Sequence, residues 1–168
     1  MYAIYNNKLY GYLDDDYELL TYQNNKIDDG FEEDEGIYFK SITLDEIQDI
    51  FDVDFYVTYT DESETLKKAG NPSKWIVNEG RPLYKNPEIE KNELGLSLIQ
   101  QSYSDDWVMD DKCSCSKIVD LYDCTDFTVV YTYIYRDGKE LEEEIVEEVK
   151  VEAEEFKELM LKYRDENI

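Results

Sequence analysis

The sequence contains no histidine, which removes the side chain that most often serves as a general base, a metal ligand or a switch near neutral pH. Basic residues are also scarce, because 17 lysines and arginines stand against 42 aspartates and glutamates, for a formal net charge of −25. We expect nucleic acid and anionic membrane surfaces to repel such a chain. No stretch approaches the roughly 20 consecutive apolar residues of a membrane-spanning helix. We therefore expect a cytoplasmic protein without direct nucleic-acid or membrane binding.

Cysteine is limited to three residues, an odd number that suits a reducing compartment better than a disulfide framework. Cys113, Cys115 and Cys124 lack the fourth ligand of a structural zinc site, although Asp120 or Asp123 would complete the set. No histidine is present to activate these thiols as nucleophiles. The sequence predicts no dedicated metal site, no cofactor and no enzymatic activity, and it leaves open whether the cysteines bind a metal.

The high charge is accompanied by abundant apolar residues. Hydrophobic residues make up 42% of the chain and aromatic residues 14%, including sixteen tyrosines. Disordered chains are poor in aromatic and β-branched residues, so this composition indicates a folded protein. We expect a single acidic domain over residues 1–168, with the alternative of two lobes that divide near residues 61–87.

The order of the sequence patterns predicts an α+β fold, with a mostly antiparallel sheet and two to three helices. Alternating tyrosine and aliphatic residues predict two or three strands in residues 1–23, and residues 53–60 predict another strand. Residues 24–36 are rich in polar and acidic residues and predict a loop.

Three segments have helical patterns. Thr43 and Glu46 match a capping box and predict a helix of about two turns. Pro87 precedes a second helical pattern that runs to residue 101. The apolar residues of the C-terminal segment recur at helical spacing and predict an amphipathic helix. They are Phe156, Leu159, Met160 and Tyr163.

The segment KELEEEIVEEVK, Lys139–Lys150, combines six glutamates with four aliphatic residues. Glutamate favours a helix, but the preceding pair Asp137-Gly138 favours a two-residue hairpin turn, so we predict a strand. On a strand the aliphatic Leu141, Ile145 and Val149 share one face. The glutamates of the opposite face lie about 6.8 Å apart, close to the spacing of adjacent phosphates in a nucleic-acid strand. These glutamates are Glu140, Glu142, Glu144 and Glu148.

Two further acidic clusters join this segment in the predicted partner-binding set. One comprises Asp14, Asp15, Asp16 and Glu18, and the other comprises Glu32, Glu33, Asp34 and Glu35. The interspersed tyrosines suit contacts with arginine and lysine of a partner. The alternative is that Tyr131, Tyr133 and Tyr135 pack within the sheet, because tyrosine has a high strand propensity.

In its charge, its size and its lack of catalytic residues, the chain resembles the DNA-mimic anti-CRISPR and anti-restriction proteins, which are commonly phage-encoded. The resemblance is one of physical type and assigns no motif residue. It implies an inhibitor that occupies the basic nucleic-acid-binding surface of a nuclease or CRISPR effector, in the host cytoplasm if the chain is phage-encoded. The alternatives are an immunity protein that neutralises a basic toxin and a non-catalytic structural or regulatory protein with a solvated acidic surface. A homodimer also remains open.

Overall fold

A computed structural model describes residues 1–14, 17–27, 30–60, 74–77, 88–98, 108–109 and 115–163. The chain forms two compact units, each built from segments that are not contiguous in sequence. The first unit comprises Met1–Val53, Val130–Glu148 and Leu159–Ile168, and the second comprises Asp54–Val129 and Val149–Glu158.

Most of the described residues form β-strands. The first five strands are β1 (Tyr2–Tyr5), β2 (Lys8–Leu13), β3 (Glu18–Thr21), β4 (Glu32–Asp34) and β5 (Ile37–Ser41). They are followed by β6 (Asp49–Thr58), β7 (Lys74–Ile76), β8 (Glu93–Leu98), β9 (Val108–Met109) and β10 (Cys115–Asp120). The chain continues with β11 (Thr125–Arg136), β12 (Lys139–Lys150) and the α-helix α1 (Ala153–Lys162). Single 3₁₀ turns occupy Leu44–Glu46, Ile89–Lys91 and Leu121–Asp123.

The larger sheet has the strand order β12, β11, β6, β1, β2, β3, β5, β4, and β7 pairs with β6. A smaller sheet has the order β8, β10, β9. The pairs from β6 through β1, β2, β3 and β5 to β4 are all antiparallel, as are the pairs of the smaller sheet. The predicted mostly antiparallel sheet is therefore confirmed.

Buried tyrosines form much of the core of the first unit. Tyr5, Tyr10 and Tyr12 lie in one cluster with Ala3, Leu19, Ile42, Ile47, Ile50 and Tyr135. The Tyr10 ring stacks on Phe31 with 5.6 Å between the ring centroids, and its hydroxyl donates to the Lys26 carbonyl at 2.8 Å. Tyrosine thus supplies apolar area to this core while its hydroxyl reaches a backbone acceptor.

A second set of rings in the first unit comprises Tyr2, Phe51, Tyr131, Tyr133 and Tyr163, which we call the aromatic cluster. The Phe51 ring centroid lies 6.0 Å from that of Tyr131, 5.4 Å from that of Tyr133 and 6.3 Å from that of Tyr163. The Tyr2 hydroxyl donates to the Tyr163 carbonyl at 2.8 Å. Burial raises the pKa of the Tyr163 side chain, so the Tyr163 hydroxyl remains protonated. The cluster joins β1, β6 and β11 to the residue that follows α1.

In the second unit, the first turns of α1 pack against aromatic rings of β6 and β11. Phe156 is fully buried, and its ring centroid lies 5.4 Å from that of Phe55 and 5.1 Å from that of Phe127. The adjacent Lys157 ammonium donates to the Asn92 side-chain oxygen at 2.8 Å. The predicted C-terminal amphipathic helix is confirmed, because its apolar residues Phe156 and Met160 are buried, as is Tyr163, which follows it.

The prediction of two to three helices is wrong for the described residues, which contain one. The hydrogen bonds expected for a capping box do form in part, since the Thr43 backbone and hydroxyl both donate to a Glu46 carboxylate oxygen. The chain nevertheless completes only one 3₁₀ turn, because β6 begins at Asp49 and pairs with β1. Pairing with an available strand outweighs the local helical signal.

The segment after Pro87 also departs from the helical prediction. A 3₁₀ turn at Ile89–Lys91 ends at Asn92, whose backbone is left-handed with φ 65°. Glu93–Leu98 then pairs with β10, and the alternate residues Leu94 and Leu96 are fully buried. An alternation of leucines fits the period of a strand, and it determines the conformation here.

Tyr10 and Tyr12 differ in hydrogen bonding although both are buried. Tyr12 is 2% exposed, and its hydroxyl has no hydrogen-bond partner among the described residues. We expect Tyr12→Phe to raise the free energy of unfolding by about 1 kcal/mol, because it removes a buried unsatisfied hydroxyl. The matched Tyr10→Phe should lower it by about 1 kcal/mol, because it removes a formed bond. Urea denaturation measures both, and equal losses in the two variants would contradict this account.

The buried hydroxyl of Tyr12 also predicts that the free energy of unfolding depends on pH in the alkaline range. Burial, together with the charge of Asp14, raises the pKa of Tyr12 from 10.0 to about 12. Tyrosinate therefore forms more readily in the unfolded chain, so the free energy of unfolding falls as the pH rises through this range. We expect the wild-type protein to lose more stability between about pH 9 and about pH 12 than Tyr12→Phe does. Urea titrations over this range make the comparison, and parallel curves would show that Tyr12 contributes nothing.

Candidate partner-binding site

The acidic strand β12 has an unusually exposed surface. Ten of its twelve residues are exposed, and the two exceptions are the half-buried Leu141 and Glu147. The exposed alternate glutamates Glu140, Glu142, Glu144 and Glu148 form what we call the glutamate row. Because side chains alternate along a strand, the row lies on one face. Members two residues apart are spaced by about 6.8 Å, and Glu144 and Glu148 by about twice that distance.

A tight turn explains why this glutamate-rich segment is a strand. Asp137 and Gly138 have φ of 53° and 73°, the positive values that a type I′ hairpin turn requires. The Gly138 backbone donates to the Gln48 carbonyl at 2.9 Å, and the Asp137 backbone donates to an Asp49 carboxylate oxygen at 2.9 Å. These bonds attach the turn to the start of β6. The predicted hairpin is confirmed, and the helical alternative is wrong.

The nearby arginine is engaged away from the glutamate row. Arg136 forms an ion pair with Glu147 at 2.6 Å, and its guanidinium lies 4.4 Å from the centroid of the Tyr133 ring. The bond to Glu147 raises the pKa of Arg136. Glu147 has the opposite parity to the row and lies on the other face. No ion pair joins Glu140, Glu142 or Glu144 to another residue in the described part of the chain.

The second acidic cluster is an edge strand rather than the predicted loop. Glu32, Glu33 and Asp34 form β4, which pairs with β5, and all three are exposed. Glu35 and Gly36 form the turn between the two strands, both with positive φ. The loop prediction is wrong for residues 32–34, because three acidic residues gave no strand signal of their own. The register with β5 is what makes this segment extended.

The third cluster lies at the turn between β2 and β3. Asp14 is exposed, while Glu18 is half-buried and accepts a hydrogen bond from the Ser41 hydroxyl at 3.3 Å. Asp15 and Asp16 lie outside the described residues. Two residues that the sequence did not single out are exposed here, Leu13 at 39% and Tyr17 at 48%. The only sequence feature that could have indicated these two residues is their position beside three consecutive aspartates.

The strand order does not join these clusters. β4 and β12 stand at the two ends of the strand order of the larger sheet, and both carry exposed acidic residues. The glutamate row therefore forms one candidate surface, and the β4 edge forms another. The cluster at the turn between β2 and β3 belongs to neither edge strand.

The tyrosines of β11 occupy packed positions. Tyr135 is buried in the core of the first unit, and the half-buried Tyr131 and Tyr133 belong to the aromatic cluster. Burial and the charge of Glu147 raise the pKa of Tyr133. These three residues therefore follow the packing alternative, and their rings support the sheet rather than a partner surface.

The described cysteines are buried thiols. Cys115 and Cys124 form no disulfide in the described part of the chain, and Cys113 lies outside the described residues. Burial raises the pKa of the Cys124 thiol to about 12, and Asp123 and Asp120 act in the same direction. Within the described ranges, no group of three or more Cys, Asp or Glu residues is arranged to hold a metal ion. Nor do these ranges contain a helix with the length and apolar character needed to cross a membrane.

Comparison with known proteins assigns a family. The model of the family described as Uncharacterised conserved protein UCP033725 matches residues 1–117. The chain belongs to this family. The UCP033725 match includes β4 and the turn between β2 and β3, whereas β11, β12 and α1 follow it. No curated protein and no solved structure matches the chain.

The acidic residues of β12 predict that the protein resists self-association, which can be tested without a partner. Edge strands pair with other copies unless charge or shape prevents it. We expect the triple variant Glu142→Gln, Glu144→Gln, Glu148→Gln to self-associate more than the wild-type protein, because it weakens the repulsion between edges. The control Glu152→Gln, Glu155→Gln, Glu158→Gln changes the net charge equally at exposed positions in and next to α1. Sedimentation velocity over a concentration series measures association, and equal behaviour of the two variants would refute this role.

Proposed function

We propose that this protein is an acidic inhibitor that binds the basic nucleic-acid-binding surface of another protein, a nuclease or a CRISPR effector. The observation that carries the proposal is the glutamate row. It is an exposed set of carboxylates on one ordered strand, with a repeat of about 6.8 Å. A lysine- or arginine-lined channel built for phosphates offers the complementary charge.

The regular placement of the glutamate row on a strand supports this proposal more than the total number of acidic residues does. β12 holds its carboxylates at fixed intervals, so binding does not have to order a flexible acidic segment. Arg136 is occupied by Glu147 on the opposite face, so it does not neutralise Glu140, Glu142 or Glu144. The net charge of −25 adds long-range attraction to a basic partner and speeds the encounter.

The turn between β2 and β3 offers a second type of contact. Exposed Leu13 and Tyr17 flank the exposed carboxylate of Asp14. Tyrosine beside a carboxylate suits an arginine of a partner, because the ring stacks on the guanidinium while the carboxylate accepts its hydrogen bonds. We propose that this turn adds specificity to the attraction that the glutamate row supplies. The inhibitor acts without a cofactor and without catalysis, in the cytoplasm where such targets work.

One observation favours a second candidate function. The two strands that end the order of the larger sheet, β4 and β12, carry exposed acidic residues. Charged edges prevent sheets from joining edge to edge, so acidity here also suits a structural or regulatory protein without a basic target. On this account, charge reversal of the glutamate row alters association between copies but leaves the function unchanged.

The test begins with capture of proteins from a host lysate on the immobilised chain, followed by purification of the basic species recovered. The affinity of that species for a labelled duplex or guide RNA is then measured with and without the chain. We expect the chain to weaken nucleic-acid binding by about tenfold or more, with an association rate that falls as salt is added. The variant Glu142→Lys, Glu144→Lys, Glu148→Lys should lose this inhibition.

The matched control for this experiment is Glu152→Lys, Glu155→Lys, Glu158→Lys, which shifts the net charge by the same amount. It should retain most of the inhibition, because the glutamate row is intact. Loss of inhibition in both variants would show that total charge acts rather than the row. A captured protein that keeps its full nucleic-acid affinity in the presence of the chain would overturn the proposal.

A further inference from the structure

We propose that β12 presents a free sheet edge, onto which the partner adds an extended lysine- or arginine-rich segment as a further strand. This inference rests on the proposed function and specifies how the partner is held. Strand addition of this kind joins two proteins through backbone hydrogen bonds, while side chains at alternate positions select the partner.

The position of β12 in the sheet supplies the backbone groups. Among the described strands, β12 is bonded to β11 alone and ends the strand order. A terminal strand directs one row of its backbone N–H and C=O groups away from the sheet. β12 is twelve residues long, about twice the usual length of a strand, so this row is long enough for an extended segment.

The exposure of β12 gives an incoming strand access from both faces. Every residue from Glu142 to Val146 is exposed, although neighbouring residues of a strand lie on opposite faces. Val146 is 57% exposed and Ile145 39%, so apolar side chains are available on each face. Val146 interrupts the glutamate row between Glu144 and Glu148, which gives the row an apolar position as well as charged ones.

Charge determines which strand can pair with this edge. Side chains directly opposite each other on paired strands have Cβ atoms about 4.5–5.5 Å apart, so like charges there repel. A second copy would place glutamates against glutamates, whichever direction it ran. A strand with lysine or arginine at alternate positions would place a cation against each member of the glutamate row. The occupant is therefore a basic extended segment of another protein.

The other acidic edge does not offer the same site. β4 has three residues, Glu32–Asp34, and so presents one quarter of the length of β12. A segment added there would gain few backbone hydrogen bonds. Short charged edges are the usual means by which sheets avoid further pairing, and β4 fits that description.

The test uses a synthetic peptide of about nine residues in which lysine and threonine alternate, a length that matches an extended strand along the row. A second peptide has the same sequence with methyl groups on alternate backbone nitrogens, which keeps every charge but removes ladder donors. A third replaces lysine by glutamate. Fluorescence anisotropy measures binding of each labelled peptide to the full chain, and hydrogen exchange follows the β12 amides.

We expect the lysine peptide to bind and to slow exchange at alternate residues of β12. N-methylation should weaken its binding by about tenfold or more, and the glutamate peptide should not bind. Glu142→Lys, Glu144→Lys, Glu148→Lys should weaken binding of the lysine peptide similarly, while Glu152→Lys, Glu155→Lys, Glu158→Lys should have a much smaller effect. The comparison between the two lysine peptides uses the wild-type chain, so it does not depend on the folding of any variant.

Equal affinity for the methylated and unmethylated lysine peptides would overturn strand addition, as would failure of the lysine peptide to bind at all. Neither result would decide the proposed function, since a folded partner can also meet the glutamate row through side chains alone. That function is decided separately, by whether the chain displaces nucleic acid from the captured protein. Protection of β12 amides by the lysine peptide together with failure of that displacement would retain the edge and reject the inhibitor.

Discussion

The pairing of β11 within the larger sheet is the interaction on which the acidic surface depends. β12 buries little of its own, since Leu141 and Glu147 are its only half-buried residues and the rest are exposed. Its position therefore comes from hydrogen bonding to β11, which in turn is fixed by the rings of the aromatic cluster and by Tyr135 in the core. Aromatic burial offsets the repulsion that closely spaced carboxylates impose on a folded chain.

The sequence predicted those elements whose signals are local. Asp137-Gly138 specified the hairpin because few residues tolerate two successive positive φ angles, and the C-terminal helix followed from the spacing of its apolar residues. Leu44–Glu46 and Glu93–Leu98 were misjudged because their helical signals were weaker than pairing with distant strands. The carboxylates of β12 were predictable as a row, but that β12 and β4 end the strand order was not, because an edge is a property of topology.

The acidic residues of β4 and those of β12 have different consequences because the two strands differ in length. At β4 three residues offer few backbone groups, so charge there only adds to the protection that shortness gives. At β12 twelve residues leave a long row of backbone groups that no other described strand pairs with, and neutral side chains would make this edge a template for other strands. Carboxylates on β12 turn that hazard into selectivity, since the same repulsion that rejects a copy becomes attraction for a basic strand. The same carboxylates therefore both repel a second copy of the chain and select a basic partner.

The regular spacing of the row distinguishes it from the net charge of the chain. A charge of −25 attracts any basic surface and is weakened by salt, which explains encounter but not discrimination. A strand repeats its side chains at a fixed interval, so a partner gains fully only if its cations recur at that same interval. Backbone hydrogen bonds form only when the two repeats are in register, and they depend little on salt. Specificity would therefore come from the match between two periods, and Val146 would set the register by placing an apolar contact at one point in the row.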